Sequence, residues 1–138
     1  MHIRFVAGFS VITSDPTTDR ALMTETLGLP LVPAGDDADY VYSQDVPGAK
    51  HLGVWPLADA ARSCFGTPEW PASHPVPQAT LELEVDDVAA AVAELEATGH
   101  RLVHPARLEP WGQEVTRLQT TDGLLIGLTS TPWLRADD

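Results

Sequence analysis

One carboxylate in a predicted strand is better suited to chemistry than any other residue of this chain. Glu82 alternates with the apolar Leu81 and Leu83, so it lies on the opposite face of its strand from both. Inside a partly dry cavity, such a carboxylate binds a ligand ammonium group or acts as a base with a raised pKa. On an open sheet the same residue is solvated, or it pairs with a cation such as Arg117.

His51 is the second candidate for acid–base chemistry. Its imidazole would complete an acid–base pair with Glu82 if the two side chains met, whereas a histidine that follows the turn VPGAK can equally be exposed to solvent. Cys64 has no evident base beside it and is interpreted as a buried structural thiol. The sequence contains no Gly-rich phosphate loop, catalytic-triad motif or zinc signature.

Four tryptophans are a high number for a chain of 138 residues. Trp55 and Trp111 are candidates for the walls of a pocket, because indole faces stack on planar ligands and attract cations. Trp70 and Trp133 stand beside prolines, in segments expected to pack over sheet edges or across a dimer contact.

The composition is that of a single globular domain, with 43% apolar and 20% charged residues. The net charge of −12 argues against partners such as nucleic acids and anionic membranes. It fits an ordinary acidic surface, or an electrostatic field that attracts cationic ligands. The chain lacks a signal-peptide pattern and an apolar run of 18 residues, so we expect a cytoplasmic protein.

A glycine interrupts the last predicted strand, in the segment TTDGLLIGLT. Gly127 gives up side-chain packing there, and such a glycine often marks a close approach to the backbone.

Two halves of the chain repeat the order strand, helix, strand, strand, strand. Asp15 and an aspartate at 86 or 87 cap the two helices, which Gly28 and Gly99 end. We therefore predict a single domain over 1–138, with module one at about 4–56, a linker at 57–77, module two at about 78–130 and a short C-terminal tail. Strands are expected at 4–13, 29–32, 40–42, 50–55, 78–87, 101–104, 113–119 and 124–129.

The segments FSVITSDP…LGLPL, LELEVDDVAAAVAELEATGH and PWGQEVTRLQTTDGLLIGL, in this order and spacing, resemble the vicinal oxygen chelate superfamily. That superfamily includes glyoxalase I, extradiol dioxygenases and bleomycin-resistance proteins. The resemblance runs from about residue 5 to residue 130. It implies an α+β fold in which two βαβββ modules form curled mixed sheets around a cavity, and it implies a homodimer.

Metal-dependent members of that family carry His or Gln, Glu, His and Glu ligands on the cavity faces of particular strands. Carried over by position, these ligands fall on Gly8, Thr80 and Gly127, and on His51 or Gly53 according to register. A divalent ion needs three or four N or O donors, so we expect no metal and no other cofactor. Two interpretations of Gly8 and Gly127 follow. Either they enlarge the cavity for an organic ligand, or they relieve crowding and mark bulges in curved strands.

The alternation of side chains along these strands predicts the residues that bind a small molecule. They are Gly8, Ser10, His51, Gly53, Trp55, Thr80, Glu82, Trp111, Gln113, Gly127 and Thr129. Leu125 shares the face of Gly127 and Thr129.

Two classes of function fit this pocket. One is a metal-independent binding protein, similar to the bleomycin-resistance branch, that sequesters a planar or cationic natural product in a bacterial cytoplasm. The other is a lyase or isomerase that uses Glu82 and His51 as an acid–base pair, or an unconventional metal held by His51, Glu82 and Gln113.

Overall fold

The computed structural model describes residues 1–36 and 38–135. Residue 37, within the loop expected after the second strand, and residues 136–138 of the tail lie outside the described residues. The first module comprises β1 (Ile3–Thr13), α1 (Pro16–Ala21) with a π-helical turn (Leu22–Thr26), β2 (Val32–Pro33), β3 (Val41–Ser43) and β4 (Leu52–Pro56). After α2 (Leu57–Phe65), the second comprises β5 (Ala79–Val85), α3 (Val88–Ala97), β6 (His104–Leu108), β7 (Glu114–Gln119) and β8 (Leu125–Ser130), followed by a 3₁₀ turn (Pro132–Leu134).

All the described strands join one curled, unclosed sheet, in the order β2-β3-β4-β1-β5-β8-β7-β6. Each module has the same internal topology, because β1 runs parallel to β4 as β5 does to β8. The antiparallel pair of β1 and β5 connects the modules. The expected α+β fold of two βαβββ modules is confirmed, and the two sheets are continuous.

Local sequence explains where the module helices begin. The Asp15 side chain accepts a hydrogen bond from the backbone N–H of Thr18 at 3.2 Å, and Asp87 accepts one from Ala90 at 3.1 Å. These bonds satisfy N–H groups that lack a partner at a helix start. Gly99, which follows α3, has φ +80°, a backbone conformation that favours glycine.

Helix α2 lies in the segment expected to be a linker, and it fills one end of the concave side of the sheet. Its Ala60 and Cys64 pack with Ile12 of β1 and Leu125 of β8 in a buried cluster. The alternation of side chains along the last strand had suggested that Leu125 lines a cavity. It belongs to the buried core instead. A second buried cluster joins α3 to the sheet through Val85, Val88, Ala91 and Leu128.

Two strands differ from the sequence expectation by several residues. The strand expected at 29–32 is only Val32–Pro33, and the strand expected at 101–104 is His104–Leu108. No helix within the described ranges has both the length and the apolar character needed to cross a membrane.

Candidate functional site

A cavity of about 730 Å³ lies between the concave side of the sheet and α2. Small-molecule sites generally have volumes of about 300–1,000 Å³, so the space is sufficient for an organic ligand of two or three rings. Most of the residues predicted from strand parity line it, namely Gly8, Ser10, His51, Trp55, Thr80, Glu82, Trp111 and Gln113.

Three residues predicted to contact a ligand lie beneath the lining instead. Gly53 is covered by the ring of Tyr40, and Gly127 by the carboxylate of Glu82. Thr129 is fully buried and accepts a hydrogen bond from Gln113 Nε2 at 2.8 Å. Its predicted role in ligand contact is therefore replaced by support of Gln113.

One row of residues crosses the sheet at the floor of the cavity. Pairing across adjacent strands places Gly8 beside Glu82, Glu82 beside Gly127, Gly127 beside Arg117, and Arg117 beside His104. Glycines thus flank the carboxylate on both sides. A Cβ atom on Gly127 would lie 2.6 Å from Cδ of Glu82, and one on Gly8 would lie 3.1 Å from Cβ of His51. The expectation that these glycines leave empty volume is wrong, since neighbouring side chains occupy it.

The Glu82 carboxylate faces the Arg117 guanidinium, with 3.6 Å between Oε1 and Nη2. Its other oxygen, Oε2, is buried and has no hydrogen-bond partner among the described residues. Burial raises the pKa of Glu82, and the charge of Arg117 opposes that rise. The position of Glu82 therefore agrees with the interpretation that it pairs with Arg117, and not with the interpretation that it is solvated.

Arg117 is 1% exposed and is held at one end of its guanidinium. Nη1 donates to Ser63 Oγ at 2.8 Å, lies 3.2 Å from Nε2 of His104, and forms an ion pair with Glu109 at 3.5 Å. The Arg117 Cζ atom lies 5.3 Å from the centre of the Trp55 ring. Nε is buried with no partner in the part of the chain that the structure describes.

Glu109 is a second buried carboxylate beside Arg117, and sequence reasoning missed it. Its Oε1 accepts a hydrogen bond from Ser63 Oγ at 2.7 Å and bonds from Nε and Nη2 of Arg107 at 3.3 Å each. Two carboxylates thus face two guanidinium groups, which keeps this part of the cavity close to neutral when both carboxylates are ionised.

Aromatic rings form the wall of the cavity that belongs to module one. Tyr42 stacks on His51 with 5.0 Å between ring centres and 10° between planes, and Tyr40 stacks on Tyr42 at 5.9 Å. Trp55 meets Tyr40 edge to face at 6.4 Å. These four residues, here called the aromatic wall, all line the cavity and offer aromatic rings to a ligand.

Two polar side chains of the aromatic wall, Tyr40 and His51, bond to each other. The Tyr40 hydroxyl forms a short hydrogen bond with Nε2 of His51. Burial lowers the pKa of His51 and raises the pKa of Tyr40. At neutral pH we therefore assign a neutral imidazole whose Nε2 accepts a hydrogen bond from the Tyr40 hydroxyl.

The mouth of the cavity carries two tryptophans, Trp111 and Trp133, which are about half exposed. Trp111 Nε1 donates to Gln113 Oε1 at 2.8 Å. Trp133 lies in the 3₁₀ turn that follows β8 and lines the cavity, a position that the sequence did not predict. Trp70 instead packs edge to face on Phe65, 5.0 Å away, beside the buried cluster of α2.

The segment that carries Trp133 is fixed by a third buried carboxylate. Glu84 is fully buried, and it accepts hydrogen bonds from the backbone N–H of Thr131 at 2.9 Å and from Nε of Arg135 at 2.6 Å. Lys50 Nζ also donates to the backbone oxygen of Leu134 at 3.1 Å. These contacts hold the 3₁₀ turn over the cavity.

Several lining residues were not predicted from the sequence, including Tyr40, Tyr42, Ser63, Glu109 and Trp133. Tyr40 and Tyr42 share one face of the short segment YVY, and that alternation was the available signal. Ser63 lies on a helix within the presumed linker, where strand parity gives no information. Glu109 follows β6, whose position the sequence had misplaced.

The residues at the family's metal-ligand positions do not fit a metal ion. Gly8 and Gly127 have no side-chain donor, and Thr80 has only a hydroxyl. The neighbouring carboxylate of Glu82 faces a guanidinium group. The unconventional set is also engaged elsewhere, because His51 bonds Tyr40 and both amide atoms of Gln113 have protein partners. No group of three or more His, Cys, Asp or Glu residues in the described ranges is arranged to hold a metal.

Comparisons with known proteins agree with this architecture. The sequence model of the glyoxalase/bleomycin resistance protein/dioxygenase superfamily matches residues 3–128. A superfamily member from Vibrio splendidus has 14% identity and a TM-score of 0.56 over 94% of this chain and 100% of its own. Methylmalonyl-CoA epimerase from Streptomyces coelicolor, in complex with 2-nitronate-propionyl-CoA, has 16% identity and a TM-score of 0.54 over 95% and 96%.

A hypothetical protein from Bacillus halodurans has 12% identity and a TM-score of 0.59 over 92% of this chain and 94% of its own. At such low identities these structures indicate a shared fold and no more. A search of curated protein sequences found no match.

Proposed function

The chain belongs to the glyoxalase/bleomycin resistance protein/dioxygenase superfamily, and from that premise we propose that it is a metal-independent binding protein for a planar organic molecule. The observation that carries the proposal is the aromatic wall on one side of the 730 Å³ cavity. Each aromatic contact with a stacked ring contributes about 0.5–1.5 kcal/mol beyond the burial of apolar area. A bicyclic or tricyclic ligand can make several such contacts at once.

The engagement of the two candidate catalytic side chains supports binding over acid–base catalysis. His51 Nε2 is bonded to Tyr40, and the Glu82 carboxylate faces Arg117. The His51 side chain packs over Gly8, which is the neighbour of Glu82 on β1. A general acid or base must lie within hydrogen-bond reach of the proton that it transfers, and the contacts with Tyr40 and Arg117 compete for that position.

Tryptophan fluorescence tests the proposal directly. We expect proflavine, a planar cation, to quench the protein emission with saturation, and 8-anilinonaphthalene-1-sulfonate, a planar anion, to bind more weakly because the protein carries a net charge of −12. Replacing Trp55 with Phe should remove much of the quenching. Trp70→Phe is the matched control, because Trp70 packs outside the cavity and its removal should leave the saturable quenching intact. Absence of saturable binding by both dyes would contradict the proposal.

One observation favours a second candidate, an enzyme with Glu82 as general base. Burial raises the pKa of this carboxylate, and Oε2 has no partner in the described chain. In that case a bound compound should be recovered chemically altered, and Glu82→Gln should abolish the conversion while binding persists. Recovery of unaltered compound, with binding weakened by Glu82→Gln, supports the binding protein.

A role in antibiotic resistance, a homodimer and a cytoplasmic location remain predictions from the sequence. Size-exclusion chromatography with light scattering measures the number of chains per particle. Growth of bacteria with and without the gene, in the presence of bleomycin and other planar antibiotics, measures any protection.

A further inference from the structure

We infer that the Glu82–Arg117 pair selects, among planar ligands, those that present an N–H and a C=O side by side, as in a lactam. This inference rests on the proposed binding function and specifies its ligand class. It follows from three features of the row at the cavity floor: unused hydrogen-bonding capacity, fixed orientation and contact with the aromatic wall.

The Glu82 carboxylate retains its capacity to accept hydrogen bonds. Its Oε1 lies 3.6 Å from Nη2 of Arg117, which is longer than an ordinary charged hydrogen bond. Oε2 has no partner among the described residues. The side chain lines the cavity floor and is 16% exposed, so a ligand donor can reach the carboxylate, although Oε2 itself is buried.

Donors lie next to this acceptor. The anchored Nη1 of Arg117 fixes the plane of its guanidinium, while Nε is buried without a partner within the described ranges and Nη2 makes the long contact with Glu82. The hydroxyl of Thr80, two residues before Glu82 on β5, is also buried without a partner among the described residues. Thr80 and Arg117 both line the cavity, so a ligand oxygen placed here would meet N–H or O–H groups.

Complementarity of this kind points to a neutral group with both functions. A ligand that only accepts hydrogen bonds provides no donor for the Glu82 carboxylate. An apolar ring provides neither that donor nor an acceptor for Arg117. Buried polar groups without partners are costly. Because Glu109 and Arg107 keep the surrounding charge balanced, the polar group of the ligand does not need a charge of its own.

The aromatic wall adjoins both members of the pair. The Trp55 ring lies 5.3 Å from Cζ of Arg117, and His51 packs over Gly8, which is the neighbour of Glu82 on β1. A ligand in contact with the wall therefore lies beside the pair, where polar atoms on the ligand can reach it.

Calorimetric titration with three bicyclic probes tests the inference. 2-Quinolinone has the N–H and the C=O, 1-methyl-2-quinolinone has only the C=O, and naphthalene has neither. We expect 2-quinolinone to bind at least about tenfold more tightly than each of the other two, the usual effect of one unmet buried hydrogen bond. The comparison uses the unaltered protein, so it is decisive even if a variant does not fold.

A variant pair then assigns the preference to Glu82. Glu82→Met should reduce the ratio between 2-quinolinone and its methylated analogue to less than about threefold, because methionine has no oxygen to accept the lactam N–H. Glu114→Met, which alters an exposed carboxylate on β7, should leave the ratio unchanged. Equal affinity for all three probes, or a ratio that survives Glu82→Met, overturns the inference while the proposed function stands. Absence of binding by every probe and by both dyes overturns the two together.

Discussion

Glu82 lies directly across from Gly127 in the pairing of β5 with β8, and its carboxylate covers the backbone of that glycine. A side chain at position 127 would occupy the space that the carboxylate now fills. The glycine thus lets a carboxylate on β5 extend over β8 toward Arg117 on β7. Close approach of a neighbouring side chain, and not an enlarged cavity, explains why the last strand has a glycine at this position.

Gly127→Ala should displace the Glu82 carboxylate from Arg117 without changing the fold. The added Cβ would lie 2.6 Å from Cδ of Glu82, which is the far part of a flexible side chain that can move. We expect a loss of about 1–3 kcal/mol in the free energy of unfolding, which is typical of an overpacked site. Urea denaturation measures it.

A double-mutant cycle shows whether that loss depends on Glu82. In a Glu82→Ala background, Gly127→Ala should cost less than about 0.5 kcal/mol, because the colliding side chain is absent. Gly35→Ala is the control, since Gly35 has no close neighbour and no positive φ. Equal losses from Gly127→Ala in both backgrounds would show that the carboxylate is not what the glycine accommodates.

The sequence was sufficient to predict elements whose signals are local. The caps at Asp15 and Asp87 and the repeated order of elements depend on neighbouring residues, and the structure has both. The position of β6 depends on pairing with β7, which places His104 beside Arg117. Pro105 suits an edge strand, where no backbone N–H is needed on the open side. Local patterns do not encode such a register.

The alternation of side chains along a strand predicts which face of the sheet a residue occupies. It does not predict which neighbouring side chain covers that residue. It therefore placed Ser10 and Thr80 correctly on the cavity side but could not show that Tyr40 covers Gly53. The contacts of Arg117 with α2 and with Trp55 join distant parts of the chain across a curled sheet. Those contacts depend on the curvature of the whole sheet.

The stability of the protein should depend on pH through Glu82. Burial raises its pKa above the ordinary value of 4.5, so the folded protein retains this proton at a pH where the unfolded chain has lost it. Raising the pH from 4.5 to the folded pKa therefore favours unfolding. We expect the wild type to lose stability relative to Glu82→Gln over that range, as measured by urea denaturation at a series of pH values.

The exposed carboxylate of Glu114 provides the comparison for this titration. The difference in stability between wild type and Glu114→Gln should stay flat where the difference for Glu82→Gln changes. A wild type that gains stability relative to Glu82→Gln as the pH rises would mean that Arg117 outweighs burial at this site.

His104 should remain neutral at pH values where most histidines are charged. Its pKa is lowered from 6.5 to about 4, because burial disfavours the imidazolium and Arg117 adds repulsion, while the hydrogen bond with the Pro105 oxygen opposes the shift. The unfolded chain takes up this proton first as the pH falls, so His104 favours unfolding between pH 6.5 and 4.

The change of unfolding free energy with pH that His104 causes is opposite in sign to the change that Glu82 causes. Because the two can cancel in a measurement of overall stability, a site-specific measurement is needed. NMR of the imidazole carbons, with His104→Gln to assign the signal, should show His104 titrating near pH 4. A midpoint close to 6.5 would mean that the imidazole is not buried against Arg117.

Arg135 should hold Trp133 over the cavity through Glu84. Arg135→Gln leaves a fully buried carboxylate with bonds only from Thr131, and we expect a loss of about 2 kcal/mol in the free energy of unfolding. Arg62→Gln, which alters an exposed ion pair on α2, should cost less than about 0.5 kcal/mol. With 5-fluorotryptophan incorporated, the fluorine NMR signal of Trp133 should shift in Arg135→Gln while that of Trp70 stays in place. A stationary Trp133 signal would mean that contacts such as that of Lys50 with Leu134 suffice to hold the segment.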